Sequence, residues 1–173
     1  MSQFPPSDCR ITTLNPIFSA TTFVLSNRKN MISINPYLNF MGNTAEAMKF
    51  YKSVFGIEFT AFQLFNQSPG YEKMPKSEQG MVMHASLPMG KHNNLMATDA
   101  LESMGMTVTM GNNFYILVNT ESEAETERYF NALAEGGTIE MPLNQTFWGA
   151  YCGMCRDKFG IQWMISYDTN AAS

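Results

Sequence analysis

The segment TIEMPLNQTFWGAYCGMCRDKFGIQWMISY, residues 138–167, carries both tryptophans of the chain, Trp148 and Trp163. Its pattern predicts a β-hairpin, because a strand over residues 150–155 runs into a polar turn and an alternating apolar strand over residues 161–167 returns. Aromatic side chains are costly to leave in water, and the N–H of a buried tryptophan needs a hydrogen-bond partner. The hairpin is therefore predicted to form either core or the wall of a pocket.

An internal repeat, offset by 79 residues, places this hairpin at the end of the second of two similar halves. The first half has a strand over residues 34–40 and a helix over about 44–55, and the second has a strand over residues 114–118 and a helix over about 122–135. Three further strands are predicted after each helix, over residues 57–65, 81–87 and 95–99 in the first half and over 138–141, 150–155 and 161–167 in the second. Each half therefore has the order β-α-β-β-β.

Both helices are predicted to begin with a capping box, in which an N-cap side chain and an acid three residues later bond each other's backbone N–H groups. The pairs are Asn43 with Glu46 and Ser122 with Glu125. The predicted fold is α+β: two paired β-α-β-β-β modules form a curved mixed sheet with helices on the convex face. This arrangement leaves the concave face for a ligand.

Length and charge exclude several classes of protein. A chain of 173 residues is expected to form one domain with a proper core. The formal net charge is −4 and the basic residues are scattered, so nucleic acid is not an expected partner. No window approaches the roughly 20 apolar residues that span a bilayer, so no membrane association is expected either.

The three cysteines, Cys9, Cys152 and Cys155, are too few and too uneven for a disulfide framework, which predicts a cytoplasmic location. The spacing of the last two matches a C-x-x-C motif of redox or zinc sites. Redox motifs of this kind open a helix, however, and zinc would need a second pair of ligands. Strand alternation would put these two sulfur atoms on opposite faces, so both are predicted to be buried small residues.

The first 30 residues differ in character from the rest of the chain. They contain three prolines and a polar middle, and they lack the basic start and unbroken apolar stretch of a signal peptide. Residues 1–30 are predicted to be an extension outside the core, residues 31–168 the domain, with repeats at about 33–99 and 111–167, and residues 169–173 a tail. An alternative is that residues 22–26 add an edge strand to the sheet.

The two histidines of the chain lie on one predicted hairpin. If the strands on either side of a turn at residues 89–92 pair, His84 lies opposite Ala97, while His92 lies in the turn and too far away to share an ion. Alternation then places His84 and Asp99 together on the face turned away from the helices, where the carboxylate could orient the imidazole. A functional pair and a histidine satisfied by a strand neighbour both fit this pattern.

The duplicated unit resembles the vicinal oxygen chelate superfamily of glyoxalases, bleomycin-resistance proteins and extradiol dioxygenases. It is most similar to the PhnB-like branch, which is also labelled demethylubiquinone methyltransferase-like. The resemblance covers about residues 31–168. It is carried by PYLNF at 36–40, GN at 42–43, IEM at 139–141, QTFW at 145–148, DKFG at 157–160 and WMI at 163–165.

Metal-using members of this superfamily take ligands from the first and last strands of each repeat. The resemblance places these positions around residues 33–35, 97–99, 112–114 and 165–167, where Asp99 is the one good ligand. Such centres need about three His or carboxylate donors, so no cofactor is expected, with a divalent metal as the alternative. The methyltransferase label is not expected to describe the activity, because the sequence lacks the glycine-rich turn that cradles such a cofactor.

Two classes of function remain open. The first is a binding protein for a small, partly aromatic or planar molecule, with a ligand site formed by Tyr37, Phe114, Phe147, Trp148 and Trp163. The second is a glyoxalase- or dioxygenase-like enzyme, a lyase, isomerase or oxygenase, that uses His84 and Asp99 as catalytic residues with or without a divalent metal. A homodimer is expected in either case, because relatives pair such modules and only 15% of the residues are charged.

Overall fold

The repeat is visible in the order of elements in the computed structural model, which describes residues 33–168. The first half contains β1 (Tyr37–Phe40), α1 (Thr44–Phe55), β2 (Ala61–Leu64), the one-turn α2 (Lys76–Gln79), β3 (Val82–Pro88) and β4 (Asn94–Asp99). The second half contains β5 (Ile116–Asn119), α3 (Glu123–Ala134), β6 (Thr138–Gln145), β7 (Ala150–Arg156) and β8 (Gln162–Asp168). The predicted extension 1–30 and tail 169–173 lie outside the described residues.

The two halves form two four-stranded sheets with equivalent strand orders. The order is β1-β4-β3-β2 in the first sheet and β5-β8-β7-β6 in the second. In each sheet the strand before the long helix pairs in parallel with the last strand, and the other neighbours are antiparallel. The helix α1 packs on β3 and β4, and α3 packs on β7 and β8, so each sheet has a helix face and an open face. The predicted α+β fold of two β-α-β-β-β modules is confirmed.

The two long helices begin and end within one residue of their predicted bounds, whereas several strands differ more. The strand β1 begins at Tyr37 instead of residue 34, and β2 covers only Ala61–Leu64. In contrast, β6 continues to Gln145 instead of ending at residue 141. It can pair with β7 over this length because two register shifts absorb its extra residues.

Apolar side chains of the two long helices fill the space above the sheets. Ala47, Met48 and Tyr51 of α1 are fully buried, as are Phe130 and Leu133 of α3. Full burial of one large apolar side chain contributes about 1.5–3 kcal/mol, so these two helix faces supply much of the packing energy. Within the part of the chain that is described, no helix is both long enough and apolar enough to cross a membrane.

A buried carboxylate joins α1 to the second module. The Oδ2 atom of Asp157 accepts hydrogen bonds from the Tyr51 hydroxyl (2.7 Å) and the Trp163 indole N–H (2.8 Å). Its Oδ1 atom accepts from the backbone N–H groups of Phe159 (2.8 Å) and Ile161 (3.0 Å), which shapes the turn between β7 and β8. Burial, together with the negative charge of Asp157, raises the pKa of Tyr51 far above its ordinary value. One side chain therefore fixes both the hairpin turn and the contact between modules.

The two long helices begin differently, although the sequence predicts a capping box for both. The Ser122 Oγ atom accepts from the backbone N–H of Glu125 (3.2 Å), so the Ser122 half of the predicted box of α3 is confirmed. The Glu125 side chain accepts from the backbone N–H of Glu121 (3.0 Å) and not from that of Ser122, so the reciprocal half is wrong. The Asn43 side chain makes no capping bond, so the predicted box of α1 is wrong. Asp99 takes its place by accepting from the N–H of Thr44 (3.1 Å), because β4 ends beside the start of α1 and a buried carboxylate is the stronger acceptor.

The two cysteines of β7 are buried free thiols, as predicted. Cys155 pairs with Trp163 and Cys152 pairs with Ser166, so the two sulfur atoms lie on opposite faces of the strand. Burial raises the pKa of both thiols, that of Cys155 to about 12. Protonated thiols are poor nucleophiles and poor metal ligands, so this C-x-x-C motif is structural.

Candidate functional site

The register between β3 and β4 decides which side chains of the first sheet reach its open face. Ala97 pairs with Ala85 and not with His84, because the connecting loop spans residues 89–93 and is one residue longer than the predicted turn. When the pairing register shifts by one residue, the side chains of one strand exchange the two faces of the sheet relative to those of the neighbouring strand. His84 therefore lies on the open face as predicted, whereas Asp99 lies on the helix face.

Asp99 is a buried structural acceptor. Its Oδ1 atom accepts from the N–H of Gly42 (3.0 Å) and from the N–H (3.1 Å) and hydroxyl (2.6 Å) of Thr44. Its Oδ2 atom accepts from the N–H of Val82 (2.7 Å), so both oxygens are engaged. The predicted hydrogen bond between His84 and Asp99 is therefore wrong, since neither side chain bonds the other anywhere in the described residues.

The partner of His84 is Tyr37. The Tyr37 hydroxyl lies 3.1 Å from His84 Nδ1, and the two ring centroids are 5.8 Å apart. Tyr37 on β1 pairs with Met96 on β4, and Met96 pairs with Ser86 on β3. Ser86 is two residues from His84 and therefore lies on the same face of the sheet. Strand alternation thus brings both rings to the open face of the first sheet.

Trp163 lies in the core and not in a pocket wall. It is fully buried, with its ring centroid 5.3 Å from that of Tyr51 and 5.7 Å from that of Phe55. On β8 it pairs with Ile116 and Cys155, which places it on the helix face of the second sheet. The prediction that Trp163 contacts a ligand is therefore wrong, because no part of its surface is accessible.

Phe147 and Trp148 form the tip of the hairpin between β6 and β7. Their rings meet edge to face with centroids 4.6 Å apart. The Phe147 side chain is 96% exposed and Trp148 is also exposed. Neither residue lines the groove that Tyr37 and Phe114 share, so the structure does not bring them together with these two predicted ligand residues.

A groove of about 240 Å³ lies between β1 and the start of β8. Residues 108–111 form its third side, and Asn39 and Gln162 contribute polar groups. Tyr37, which is 45% exposed, and Phe114, which is 55% exposed, line it from the first and second modules. The structure thus brings together two of the predicted ligand residues, and the Tyr37 bond to His84 connects this groove to the imidazole.

A polar cluster on the second sheet was missed by the sequence reasoning. Glu140 accepts from the Tyr115 hydroxyl (2.5 Å), from Arg156 Nη2 (3.1 Å) and from Gln162 Nε2 (3.2 Å). The hydrogen bond from Tyr115 is the largest cause that lowers the pKa of Glu140. Desolvation raises this pKa by a smaller amount, and the contacts with Gln162 and Arg156 lower it further. Glu140 is therefore ionised at neutral pH and acts as an acceptor only. Because Gln162 also lines the groove, its hydrogen bond to Glu140 holds one residue of the groove wall in position.

An irregularity in β6 places Glu140 in this cluster. The pairing of β6 with β7 shifts between Ile139 and Met141, so Glu140 is an inserted residue at a β-bulge. Bulges of this kind redirect a side chain and are common beside functional sites. The available signal in the sequence was a carboxylate flanked by apolar residues inside a predicted strand.

A second cavity, of about 450 Å³, lies between α1 and α3. Phe50, Val54 and Ala132 form its apolar part, and Lys158 lies with its Nζ atom 4.6 Å from the centre of the Phe50 ring. This cavity is larger than the groove but contains none of the predicted site residues. The side chains that line this cavity make the contacts of two packed helices, and Lys158 covers the Phe50 ring.

The side chains of one chain do not fit the metal centre that this fold family implies. Among the described residues no three His, Cys, Asp or Glu side chains lie close enough together to hold an ion. The oxygens of Asp99 are occupied by four donors, and His84 is bonded to Tyr37. The expected absence of a metal stays a prediction.

Comparisons with known proteins agree with this fold. A family model described as 3-demethylubiquinone-9 3-methyltransferase matches residues 32–166. Protein YjdN of Escherichia coli K12 is 33% identical over 147 residues, which cover 77% of this chain and 93% of YjdN. The crystal structure of PA1353 from Pseudomonas aeruginosa is 39% identical with a TM-score of 0.70, over 80% of this chain and 98% of PA1353.

A PhnB protein from Bacillus cereus, described as a putative 3-demethylubiquinone-9 3-methyltransferase, is 28% identical with a TM-score of 0.61, over 79% of this chain and 99% of that protein. At 18% identity and a TM-score of 0.51, a glyoxalase/bleomycin resistance/dioxygenase family enzyme shares the fold. The paired modules thus have the fold of the vicinal oxygen chelate proteins. By its match to the family model and to YjdN, the chain belongs to the PhnB-like 3-demethylubiquinone-9 3-methyltransferase family.

Proposed function

We propose that this protein binds a small, partly aromatic or planar molecule in the groove between β1 and β8, without a metal centre. The observation that carries the proposal is the pair of half-exposed rings, Tyr37 and Phe114, which line one groove from different modules. Ligand sites are typically concave and largely apolar with a few polar groups that fix orientation. Asn39 and Gln162 supply such groups here.

The size of the groove limits the ligand. Ligand cavities usually measure roughly 300–1,000 Å³, whereas this groove measures about 240 Å³. It therefore accommodates one small ring system or one end of a larger molecule. A planar ring bound in the groove would contact Tyr37 and Phe114 in the offset or edge-to-face arrangements that aromatic pairs prefer, at centroid distances of about 4.5–7 Å.

Isothermal titration calorimetry with indole, a planar probe, tests the proposal. Tyr37→Ala and Phe114→Ala should each weaken indole binding by at least about fivefold, since an aromatic contact contributes about 1 kcal/mol beyond its buried area. Tyr71→Ala is the matched control, because Tyr71 lies in a one-turn 3₁₀ helix, is only partly buried and does not line the groove. Equal affinity of all four proteins for indole, or no binding to the wild type, would contradict the proposal.

A homodimer is part of the proposal. Large apolar side chains remain exposed on one copy of the chain, among them Ile34, Phe114, Leu117, Ile139 and Phe147. A second copy is the occupant that supports burial of this surface, because modules of this fold pair with one another. Such pairing would extend the groove, and contact of Phe147 and Trp148 with a ligand stays a prediction for that assembly. Sedimentation that shows only monomer at micromolar concentration would count against it.

A second candidate function is a glyoxalase- or dioxygenase-like enzyme, a lyase, isomerase or oxygenase. The hydrogen bond between Tyr37 and His84 favours it, because Tyr37 lines the groove and the imidazole could exchange a proton with a bound molecule through or beside it. For an enzyme, His84→Ala should lower turnover by roughly 10²-fold or more with little change in binding. For a binding protein it should weaken affinity only modestly.

The proposal also includes the absence of a metal cofactor and a cytoplasmic location. Metal analysis of protein purified without tags or chelators should find no stoichiometric divalent ion, and one ion per chain would favour the enzyme. A cytoplasmic location is proposed because Cys152 and Cys155 are free thiols, as expected in a reducing compartment. Nucleic acid and membranes are not proposed partners, given the net charge of −4.

A further inference from the structure

Gln162 is a nearly buried polar side chain whose two ends have different surroundings. It is 4% exposed and lies at the start of β8, on the wall of the groove. Its Nε2 atom donates to Glu140 Oε2 (3.2 Å), and Glu140 Oε1 lies 3.5 Å away. No group in the described part of the chain donates to its Oε1 atom. Every fully buried side-chain oxygen among these residues has a partner, so Gln162 Oε1 must reach solvent.

The orientation of this amide is determined by its neighbours. An ionised carboxylate can only accept hydrogen bonds, so the Gln162 amide must turn its NH₂ group, and not its oxygen, toward Glu140. Glu140 is held in place by the Tyr115 hydroxyl (2.5 Å) and by Arg156 (3.1 Å). The Gln162 amide therefore cannot flip without placing two acceptors against each other, and its oxygen stays turned away from Glu140.

We propose that Gln162 Oε1 is the specificity-determining acceptor of the groove, which selects planar aromatic ligands with an N–H or O–H donor on the ring edge. Glu140 acts as a positioning residue that fixes the amide orientation and does not itself touch the ligand. The inference rests on the proposed function, because it requires a ligand in the groove between Tyr37 and Phe114. A site built to bond one donor rejects a ligand of the same shape that lacks it, since its polar group then stays unpaired.

Indole and benzofuran form a matched pair of probes for this inference. They have nearly the same shape, but indole presents an N–H donor where benzofuran presents an oxygen acceptor. The wild-type protein should bind indole more tightly than benzofuran by roughly fivefold, the value of one neutral hydrogen bond of about 1 kcal/mol. Calorimetric affinities of both probes give the ratio directly, and the ratio is insensitive to a general loss of binding.

Two variants and one control complete the test. Gln162→Met keeps the side-chain length and removes the acceptor, so the ratio should fall to about one. Glu140→Gln lets the Gln162 amide turn either way, so the ratio should also fall while the affinity for benzofuran rises. Gln145→Met is the matched control, because Gln145 also donates to a glutamate, Glu123 (2.9 Å), but does not line the groove. Its ratio should equal that of the wild type.

The outcomes separate this inference from the proposed function. If neither probe binds the wild type, both are overturned. If both probes bind with equal affinity and Tyr37→Ala weakens both, the groove binds ligands but Gln162 does not select donors, and the inference alone is overturned. A ratio that persists in Gln162→Met also overturns it. Thermal unfolding of each variant shows whether the domain is folded, and the ratio is compared only among folded proteins.

Discussion

Replacing Asp157 with asparagine tests the junction between α1 and the second module. Asparagine has nearly the same shape but carries one NH₂ group in place of a carboxylate oxygen. Its remaining oxygen can keep the bonds from the N–H groups of Phe159 and Ile161, which leaves the NH₂ group facing Tyr51 and Trp163. The tyrosine hydroxyl can turn and accept from it, whereas the indole N–H can only donate and loses its partner.

The expected loss of stability follows from these two changes. A buried donor without a partner costs about 1–3 kcal/mol, and replacing the charged acceptor of the Tyr51 bond with a neutral group costs about 1 kcal/mol more. Asp157→Asn should therefore lower the free energy of unfolding by about 2–4 kcal/mol. Urea unfolding measures this as a lower midpoint with an unchanged dependence on urea concentration.

A double-mutant cycle shows whether the hydrogen bond itself is responsible. Tyr51→Phe alone should cost about 1.5–3 kcal/mol, and its effect should be smaller in the Asp157→Asn background because the two groups share one bond. Tyr71→Phe is the control, since its hydroxyl makes no hydrogen bond within the described residues, and it should change stability by less than about 0.5 kcal/mol. A loss below about 0.5 kcal/mol for Asp157→Asn, or strictly additive effects, would refute this reasoning.

Three further predictions concern buried groups of the fold. Asp99→Asn should lower the free energy of unfolding by about 2–4 kcal/mol in urea, because it removes charged acceptors from the Thr44 N–H and its neighbours at the start of α1; an unchanged midpoint would contradict its structural role. The pKa of Tyr51 is raised by burial, so the stability gained by keeping this hydroxyl protonated is present below pH of about 10 and lost as the pH rises above it; wild-type unfolding free energy should thus fall more steeply above that pH than that of Tyr51→Phe. Gly153→Ala should cost about 1–3 kcal/mol, since the added Cβ would lie 2.7 Å from Phe130 Cε2, and a neutral result would indicate that this ring can move aside.

The fold could be predicted from the sequence because its signals are local and occur twice. Ala47, Met48 and Tyr51 recur at the helical spacing of one buried face of α1, and the Ser122 cap marks the start of α3. The order of the elements then follows from the duplicated pattern. None of these features depends on the contact of residues far apart in the sequence, unlike the parallel pairing of β1 with β4 and of β5 with β8.

The site could be predicted only in part, because strand facing depends on single-residue register. A loop one residue longer than expected between β3 and β4 separated Asp99 from His84 and moved the carboxylate under α1. Alternation along β8 likewise placed Trp163 in the core. The bond between Gln162 and Glu140 joins residues brought together by a bulge in β6, and no local pattern specifies a bulge.

The most direct test of ligand binding in the groove is an NMR titration of the ¹⁵N-labelled protein with indole. Saturable shifts are expected for backbone amides that line the groove, including those of Asn39, Phe114 and Gln162. In Phe114→Ala the indole concentration that half-saturates these shifts should rise by at least about fivefold. Shifts confined to the cavity between α1 and α3, around Phe50, or no saturable shifts at all, would contradict a ligand site between the two modules.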